Sequence, residues 1–284
     1  MNELGESLND LTQEVKSLAV KEGADLVGVT STENWEDEAG RRPGDFMLGA
    51  SRVIVLAARV LSPPTEQGSL RYYAYSAGMV DDILNKAGYK IAKLLMDRGY
   101  RAYPMKDNFP LGSLDQAWRS SDWFKDFEKE EAYRNHLRGE ISFKYAAKRA
   151  GVGVFGKSGL IVTPKYGPLV HLLPVLTDAP LETDKPLDVD MCKDCSLCID
   201  LCPGKAISGN GVDNVVCFRT EISKGVGVSG VPYKVCPAYC IRMCPIGNPN
   251  AKKVRDEGTS GILASTESGG KAEFDTCRIT KTNR

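Results

Sequence analysis

The chain has 284 residues, enough for one large or two smaller domains and for an apolar core that needs no disulfides. Its 37 basic and 37 acidic residues give a formal net charge of zero, so no global field favours nucleic acid or an anionic membrane surface. The first 30 residues are polar and no apolar run reaches the roughly 18 residues of a membrane span. We therefore expect a cytoplasmic protein without a membrane partner.

Apolar periodicity predicts a mixture of helices and strands in the first half of the chain. An opening helix is predicted over 4–18, where apolar residues recur three and four positions apart until Gly23 ends it. Strands are predicted at 24–29, 53–60 and 100–105, and a long helix at 76–98. The charged and aromatic stretch 113–139 predicts one or two amphipathic helices that cover the surface.

The pattern tightens after Glu140 into a helix, a glycine-rich turn and two strands. The helix is predicted over 140–150, the turn over 151–159, and the strands at 160–163 and 169–178. A proline-containing linker then leads into a cysteine-rich region, and the last residues are polar and rich in glycine. This composition predicts a first domain over 1–185, a cysteine module over 186–250 and a tail over 251–284.

Cysteine usage indicates iron–sulfur chemistry, because eight of the nine cysteines lie between Cys192 and Cys244. The first run reads C-x2-C-x2-C-x3-C-P, the spacing of bacterial ferredoxins that hold two four-iron clusters. Three thiolates at this spacing wrap around three corners of one cubane, whereas the fourth, followed by Pro203, points to a second cluster. A structural zinc site is the alternative, but three successive cysteines overfill its tetrahedron.

The second half of the cysteine pattern departs from that ferredoxin spacing. Its last three cysteines are each four residues apart, and the remaining one, Cys217, lies 19 residues before them. Crossover between the halves predicts one cluster on Cys192, Cys195, Cys198 and Cys244 and another on Cys202, Cys217, Cys236 and Cys240. Cys277 is then left over, as an ordinary free thiol or as a contact to a further cofactor.

The glycine-rich turn is open to two interpretations. Gly151, Gly153 and Gly156 would allow the backbone to approach a large planar ligand closely, or they would form a tight turn packed against the sheet. The turn is not a dinucleotide-binding fingerprint, since the helix precedes it and the strand follows.

Several segments carry a resemblance to a known superfamily. The stretch AAKRAGVGVFGKSGLIVTPKYGPLVHLLPVLTDAPLETDKPLD, the following CKDCSLCIDLCPGKAI and the earlier RYYAYSAG resemble the cobalamin-dependent iron–sulfur reductases, namely reductive dehalogenases and epoxyqueuosine reductases. The resemblance covers roughly residues 15–250. It implies an α+β fold in which a nitroreductase-like, cobalamin-binding domain precedes a ferredoxin-like module with two 4Fe-4S clusters.

This resemblance implies a reductase that passes electrons through both clusters to a corrinoid and then to a small organic substrate. The reaction would be like reductive dehalogenation or epoxide reduction, with a ferredoxin or flavodoxin as electron donor and Glu140 or Tyr145 as proton donor. The cofactor-binding residues implied by the matching segments are Tyr75, Gly151, Gly153, Gly156, Lys157, Ser158 and Tyr166.

Two alternatives keep all eight clustered cysteines. One is an electron-transfer protein that binds no corrinoid, and the other is a variant whose first domain binds a flavin. The chain shows none of the C-terminal helical repeats with which epoxyqueuosine reductases engage transfer RNA, and its net charge offers no basic substitute. We therefore do not expect transfer RNA as a partner.

Overall fold

The structure is a computed structural model that describes residues 8–36, 42–61, 70–105, 141–209, 211–221 and 238–248. Its helices are α1 (Leu8–Lys21), α2 (Pro43–Phe46), α3 (Leu70–Asp97), α4 (Phe143–Arg149), α5 (Leu197–Asp200), α6 (Asn214–Glu221) and α7 (Tyr239–Arg242). Its strands are β1 (Leu26–Ser31), β2 (Arg52–Arg59), β3 (Ala102–Pro104), β4 (Val154–Phe155), β5 (Ile161–Val162) and β6 (Val170–Thr177).

A four-stranded antiparallel sheet with the order β1-β2-β6-β3 organises the first part of the chain. Strand β2 is central, with Ile54 opposite Val29 on one side and opposite Val175 on the other. Six consecutive residues of β2 are fully buried, as expected for a strand covered on both faces. The fold is therefore mixed α and β, as the sequence predicts.

Alternate residues of β2 enter two separate apolar cores. Ile54 and Leu56 pack with residues of α1 and α3 on one face of the sheet. Val53 and Val55 pack on the other face with Ala146 and Ala147 of α4. This layered arrangement fixes α4 and the hairpin that follows it against the sheet, on the face opposite the long helix.

Most of the elements predicted before the cysteines are confirmed, with shifts of a few residues at their ends. The long helix α3 begins earlier than predicted, at Leu70, and the glycine-rich turn contains the short strand β4, which pairs with β5. Two predicted features lie outside the described residues: the amphipathic helices over 113–139 and the tail over 251–284. No helix in the described segments is long and apolar enough to cross a bilayer.

The cysteine-bearing part, which we define as the described residues from 186 onward, is built from short helices and turns. Its backbone contacts the backbone of the sheet-bearing part, the described residues before 186. Gly167, just before β6, has a φ of +55°, and a Cβ added to it would collide with the carbonyl oxygen of Ile246. A Cβ on Gly247, whose φ is +89°, would collide with the carbonyl oxygen of Tyr166. Two glycines thus let the loop before β6 and the turn after Cys244 lie directly against each other.

Candidate iron–sulfur centre

Four cysteine thiols interact electrostatically in the cysteine-bearing part. Burial raises the pKa of Cys244 to about 11, and a backbone hydrogen bond from Ile246 partly opposes this increase. The thiols of Cys192, Cys195 and Cys198 raise the pKa of Cys244 further. Burial likewise raises the pKa of Cys198, with contributions from Cys192 and Cys195. Such mutual influence requires the thiols to be near one another, although Cys244 is far from the other three in sequence. They are the same four that the sequence assigns to one cluster.

The other predicted group is described in part. Cys202 lies in a turn where its Sγ accepts the Ala206 N–H at 3.3 Å, and Cys217 lies on α6. An added Cβ on Gly204 would collide with the Thr220 side chain, so α6 packs against the turn that follows Cys202. Cys240 lies on α7, which packs against the helix that carries Cys198. Cys236 lies outside the described residues.

None of the seven cysteines of the described segments forms a disulfide, and all seven are half-buried. Within those segments, no three His, Cys, Asp or Glu side chains converge on a point that could hold a single metal ion. A four-iron cubane is a larger body than one ion and separates its four thiolates more widely. The first group offers four thiols, and the Ile246 backbone N–H is donated to the sulfur of Cys244. Such a set of donors fits an iron–sulfur cluster.

A buried arginine stands between Cys240 and Cys244 in the sequence. Arg242 on α7 is only 2% exposed, and its guanidinium carbon lies 6.0 Å from the centre of the Tyr239 ring. Burial lowers its pKa, and its carbonyl oxygen accepts a hydrogen bond from Asn248 Nδ2 at 2.6 Å. An arginine in this position places positive charge inside the module, where the thiolates of bound clusters would be negative.

The turn of the β4–β5 hairpin borders the first cysteine group. A Cβ added to Gly156 would lie 3.3 Å from Cys192 Sγ and 2.6 Å from a methyl group of Val162. Lys157 follows it, and its Nζ donates hydrogen bonds to the carbonyl oxygens of Cys195 at 3.0 Å and Lys193 at 3.3 Å. The glycine-rich turn therefore contacts the cysteine loop directly.

Replacing Gly156 with alanine is expected to weaken the first cluster. The added methyl group would displace Val162, 2.6 Å away, and would press on Cys192 Sγ at 3.3 Å; such overpacking costs about 1–3 kcal/mol. We expect less iron per chain and a lower melting temperature, measured by iron assay and by circular dichroism. Gly78→Ala is the matched control, because nothing lies within 4 Å of the added Cβ. Equal iron content in both variants would contradict the contact.

At the other two glycines of the turn, atoms of this chain also occupy the space where a Cβ would stand. A Cβ on Gly151, whose φ is +68°, would collide with the carbonyl oxygen of Lys185, and one on Gly153 would lie 2.7 Å from the carbonyl oxygen of Val162. Packing alone therefore explains why glycine stands at these positions. Their contact with a cofactor stays a prediction.

Tyr145 belongs to an aromatic group on the α4 side of the sheet. Its ring meets Trp35 edge to face at a centroid distance of 5.2 Å, and the Arg149 guanidinium lies 5.5 Å from the Trp35 ring and 5.8 Å from the Tyr145 ring. Arg149 also donates to the carbonyl oxygens of Glu33 and Asn34, which holds the loop after β1 in place. Glu140, the other predicted proton donor, lies outside the described residues.

The indole nitrogen of Trp35 is the feature that fits a further bound group. Trp35 is 5% exposed, and its Nε1 is buried with no hydrogen-bond acceptor among the described residues. A buried N–H without a partner is costly, and a cofactor rich in amide oxygens, such as a corrinoid, would supply an acceptor. Sequence reasoning does not single out Trp35, because it lies in a charged loop that predicts exposure.

The remaining predicted residues are spread over the fold. Tyr75 lies on α3 and is 68% exposed, whereas Ser158 is buried in the hairpin turn beside Lys157. Tyr166 is half-buried, and its hydroxyl donates to Asp25 Oδ1 at 3.2 Å, which ties the loop before β6 to the start of β1. The described contacts thus bring Lys157 to the cysteine loop and give Tyr166 a role within the sheet-bearing part.

No family model and no curated protein matches the sequence. Solved structures do match. An epoxyqueuosine reductase in complex with an epoxyqueuosine-modified tRNA-Tyr stem loop is 20% identical over 85% of this chain and 66% of its own, with a TM-score of 0.60. The epoxyqueuosine reductase from Bacillus subtilis has the same identity and coverage, with a TM-score of 0.58. A reductive dehalogenase whose structure suggests a mechanism for B12-dependent dehalogenation is 19% identical over 94% of this chain and 37% of its own, with a TM-score of 0.64.

The expectation that excluded transfer RNA is wrong. It rested on a net charge of zero and on the lack of a helical-repeat pattern in these 284 residues, yet one of the matching epoxyqueuosine reductases is bound to a transfer RNA stem loop. Net charge is a sum over the whole surface, so it does not exclude a local basic face that binds a phosphate backbone. Net charge therefore gives no ground for excluding transfer RNA.

The chain spans about two thirds of the length of these epoxyqueuosine reductases and little more than a third of the dehalogenase. At identities of 19–20%, the likeness shows the fold. The superfamily resemblance predicted from the sequence is confirmed at this level: the chain has the fold that epoxyqueuosine reductases and reductive dehalogenases share.

Proposed function

We propose that the chain is a reductase that carries two 4Fe-4S clusters and a corrinoid, and that it delivers electrons through the clusters to a substrate bound beside the corrinoid. The proximity of Cys244 to Cys192, Cys195 and Cys198 supports this proposal, because one cubane needs four neighbouring thiolate ligands. Similarity to reductases of this fold supports the oxidoreductase role.

The position of the first cysteine group suggests the direction of electron flow. The group borders the β4–β5 hairpin, which follows α4 and so belongs to the sheet-bearing part of the chain. A cluster held there would be the one adjacent to a cofactor in that part, and the cluster on Cys202, Cys217, Cys236 and Cys240 would receive electrons from outside. The amide N–H donated to Cys202 Sγ would help to set the potential of that outer cluster.

The residues assigned to the corrinoid site would contact the cofactor and supply a proton. When bound, the corrinoid supplies the cobalt centre that transfers electrons to the substrate. Trp35 offers its unpartnered indole N–H to the cofactor, and Tyr145, packed against Trp35, holds the proton to be donated on its phenolic oxygen. Glu140 is the second candidate for the donor.

Each proposed domain would have its own role. Residues 1–185 would hold the corrinoid and the substrate, residues 186–250 the two clusters, and residues 251–284 would form a tail. The backbone contact between Gly167 and Ile246 supports a docked arrangement, because it joins the first two of these segments without intervening side chains.

The cofactor assignment is tested by the absorption spectrum of protein purified without oxygen from cells supplied with cobalamin. We expect corrinoid and iron–sulfur bands together, with about one corrinoid per chain. Flavin bands in place of corrinoid bands would establish the flavin alternative, and iron–sulfur bands alone would favour the electron-transfer protein. Either of those outcomes overturns the corrinoid proposal.

The substrate class is tested by supplying the reduced holoprotein with two kinds of substrate. One is an epoxyqueuosine-modified transfer RNA stem loop, as bound by the matching epoxyqueuosine reductase, and the other is a set of halogenated phenols. Mass spectrometry follows the loss of one oxygen atom from the RNA base or the release of halide. Turnover of only one kind would assign the substrate class, and turnover of neither would count against both chemistries.

A further inference from the structure

Lys157 places a positive charge on the loop that holds the first cysteine group. It is half-buried, and its Nζ donates to the carbonyl oxygens of Cys195 and Lys193. Both carbonyls belong to the segment between Cys192 and Cys198, whereas Lys157 itself comes from the hairpin of the sheet-bearing part. A side chain from the sheet-bearing part therefore reaches the cysteine loop and places its ammonium group there.

The backbone of the β4–β5 hairpin helps to determine where the Lys157 ammonium group lies. Gly156 lies so close to Cys192 that an added Cβ would stand 3.3 Å from its Sγ. The hairpin itself is closed by a hydrogen bond from Gly156 N–H to the Leu160 carbonyl oxygen at 2.9 Å. Gly156, the residue before Lys157, is thus fixed against the cysteine loop. The Lys157 side chain can therefore reach the carbonyl oxygens of that loop.

A fixed cation beside a cluster changes the free energy of adding an electron. A cubane with four thiolate ligands is negatively charged, and reduction adds one more negative charge. The attraction to a nearby cation is stronger in a half-buried position than in water, since the effective dielectric constant is lower. Lysine near the cluster should therefore favour the reduced form and raise the reduction potential.

We propose that Lys157 is a positioning residue whose ammonium charge, placed at the Cys192–Cys198 loop, raises the reduction potential of the cluster on Cys192, Cys195, Cys198 and Cys244. This inference rests on the iron–sulfur half of the proposed function and is independent of the corrinoid.

The test is a potentiometric titration of the holoprotein followed by electron paramagnetic resonance. Lys157→Gln keeps hydrogen-bond donors but removes the charge, and Lys157→Arg keeps both. We expect Lys157→Gln to lower the reduction equilibrium constant of the first cluster about three- to tenfold, where tenfold corresponds to 59 mV for one electron. The second cluster should keep its potential, and Lys157→Arg should stay close to the unsubstituted protein.

The matched control is Lys144→Gln. Lys144 Nζ donates to the carbonyl oxygen of Gly159 at 3.0 Å, in the same hairpin but outside the cysteine loop, so both potentials should remain unchanged. An unchanged potential in Lys157→Gln, or an equal shift in Lys144→Gln, would overturn the proposal. Loss of the first cluster from Lys157→Gln would also overturn it, because the lysine would then be structural. If the unsubstituted protein itself assembled no cluster, the proposed function would have failed instead.

Discussion

Replacing Cys244 with serine is expected to remove about half of the bound iron and to leave one cluster intact. Serine is a poor ligand for iron, and Cys244 is the distant member of a set whose other three thiols influence its pKa. The loss should fall on the cluster next to the β4–β5 hairpin. Iron and sulfide assays give the amount lost, and the electron paramagnetic resonance spectrum of the reduced protein identifies the surviving signal.

Cys217→Ser is the counterpart that removes a ligand from the other set. It should also lose about half of the iron, but the surviving signal should be the one that Cys244→Ser lacks. The double variant should retain no cluster. Equal loss of both signals in Cys244→Ser, or the same surviving signal in both single variants, would contradict the assignment of ligands.

Replacing Gly167 with alanine is expected to destabilise the chain by about 2–5 kcal/mol and to loosen the cysteine-bearing part. A left-handed φ costs a non-glycine residue roughly 1–2 kcal/mol, and the added methyl group also collides with the Ile246 carbonyl oxygen. Backbone hydrogen bonds with Thr163 at 2.9 and 3.0 Å prevent the loop from moving away. Denaturant titration of the holoprotein measures the loss, and limited proteolysis reports separation of the two parts.

Gly49→Ala separates backbone strain from the collision. Gly49 has a φ of +82°, so alanine is strained there too, but nothing lies within 4 Å of the added Cβ. We therefore expect a loss of roughly 1–2 kcal/mol for this variant and no change in proteolysis. If both variants lost the same stability, the close approach of the Gly167 loop to Ile246 would be refuted.

The features that local sequence predicts well are those that depend on periodicity or spacing. The apolar run at Val53 predicts a buried strand because each face of the sheet needs its own apolar residues, and β2 fulfils this. The spacing of the first four cysteines, together with the crossover rule, is enough to propose Cys244 as the fourth ligand of the first set.

The features that the sequence does not predict depend on contacts between distant segments. Trp35 stands in a charged loop that predicts exposure, yet it is buried because Arg149 and Tyr145, more than 100 positions later, cover it. Strand β4 is only two residues long and lies between glycines, so it gives no periodic signal. The meeting of Gly167 with Ile246 likewise has no local signature, because only the folded chain brings them together.

The decisive measurement follows electrons through the holoprotein by rapid mixing with dithionite under anaerobic conditions. Absorption bands of the clusters should bleach first, and the bands of the bound corrinoid should change in a second phase. In Cys244→Ser, which lacks the cluster beside the sheet-bearing part, the second phase should slow at least about tenfold, since its direct donor is missing. A chain that binds no corrinoid, or a corrinoid phase with the same rate in both proteins, would contradict an electron path through the clusters.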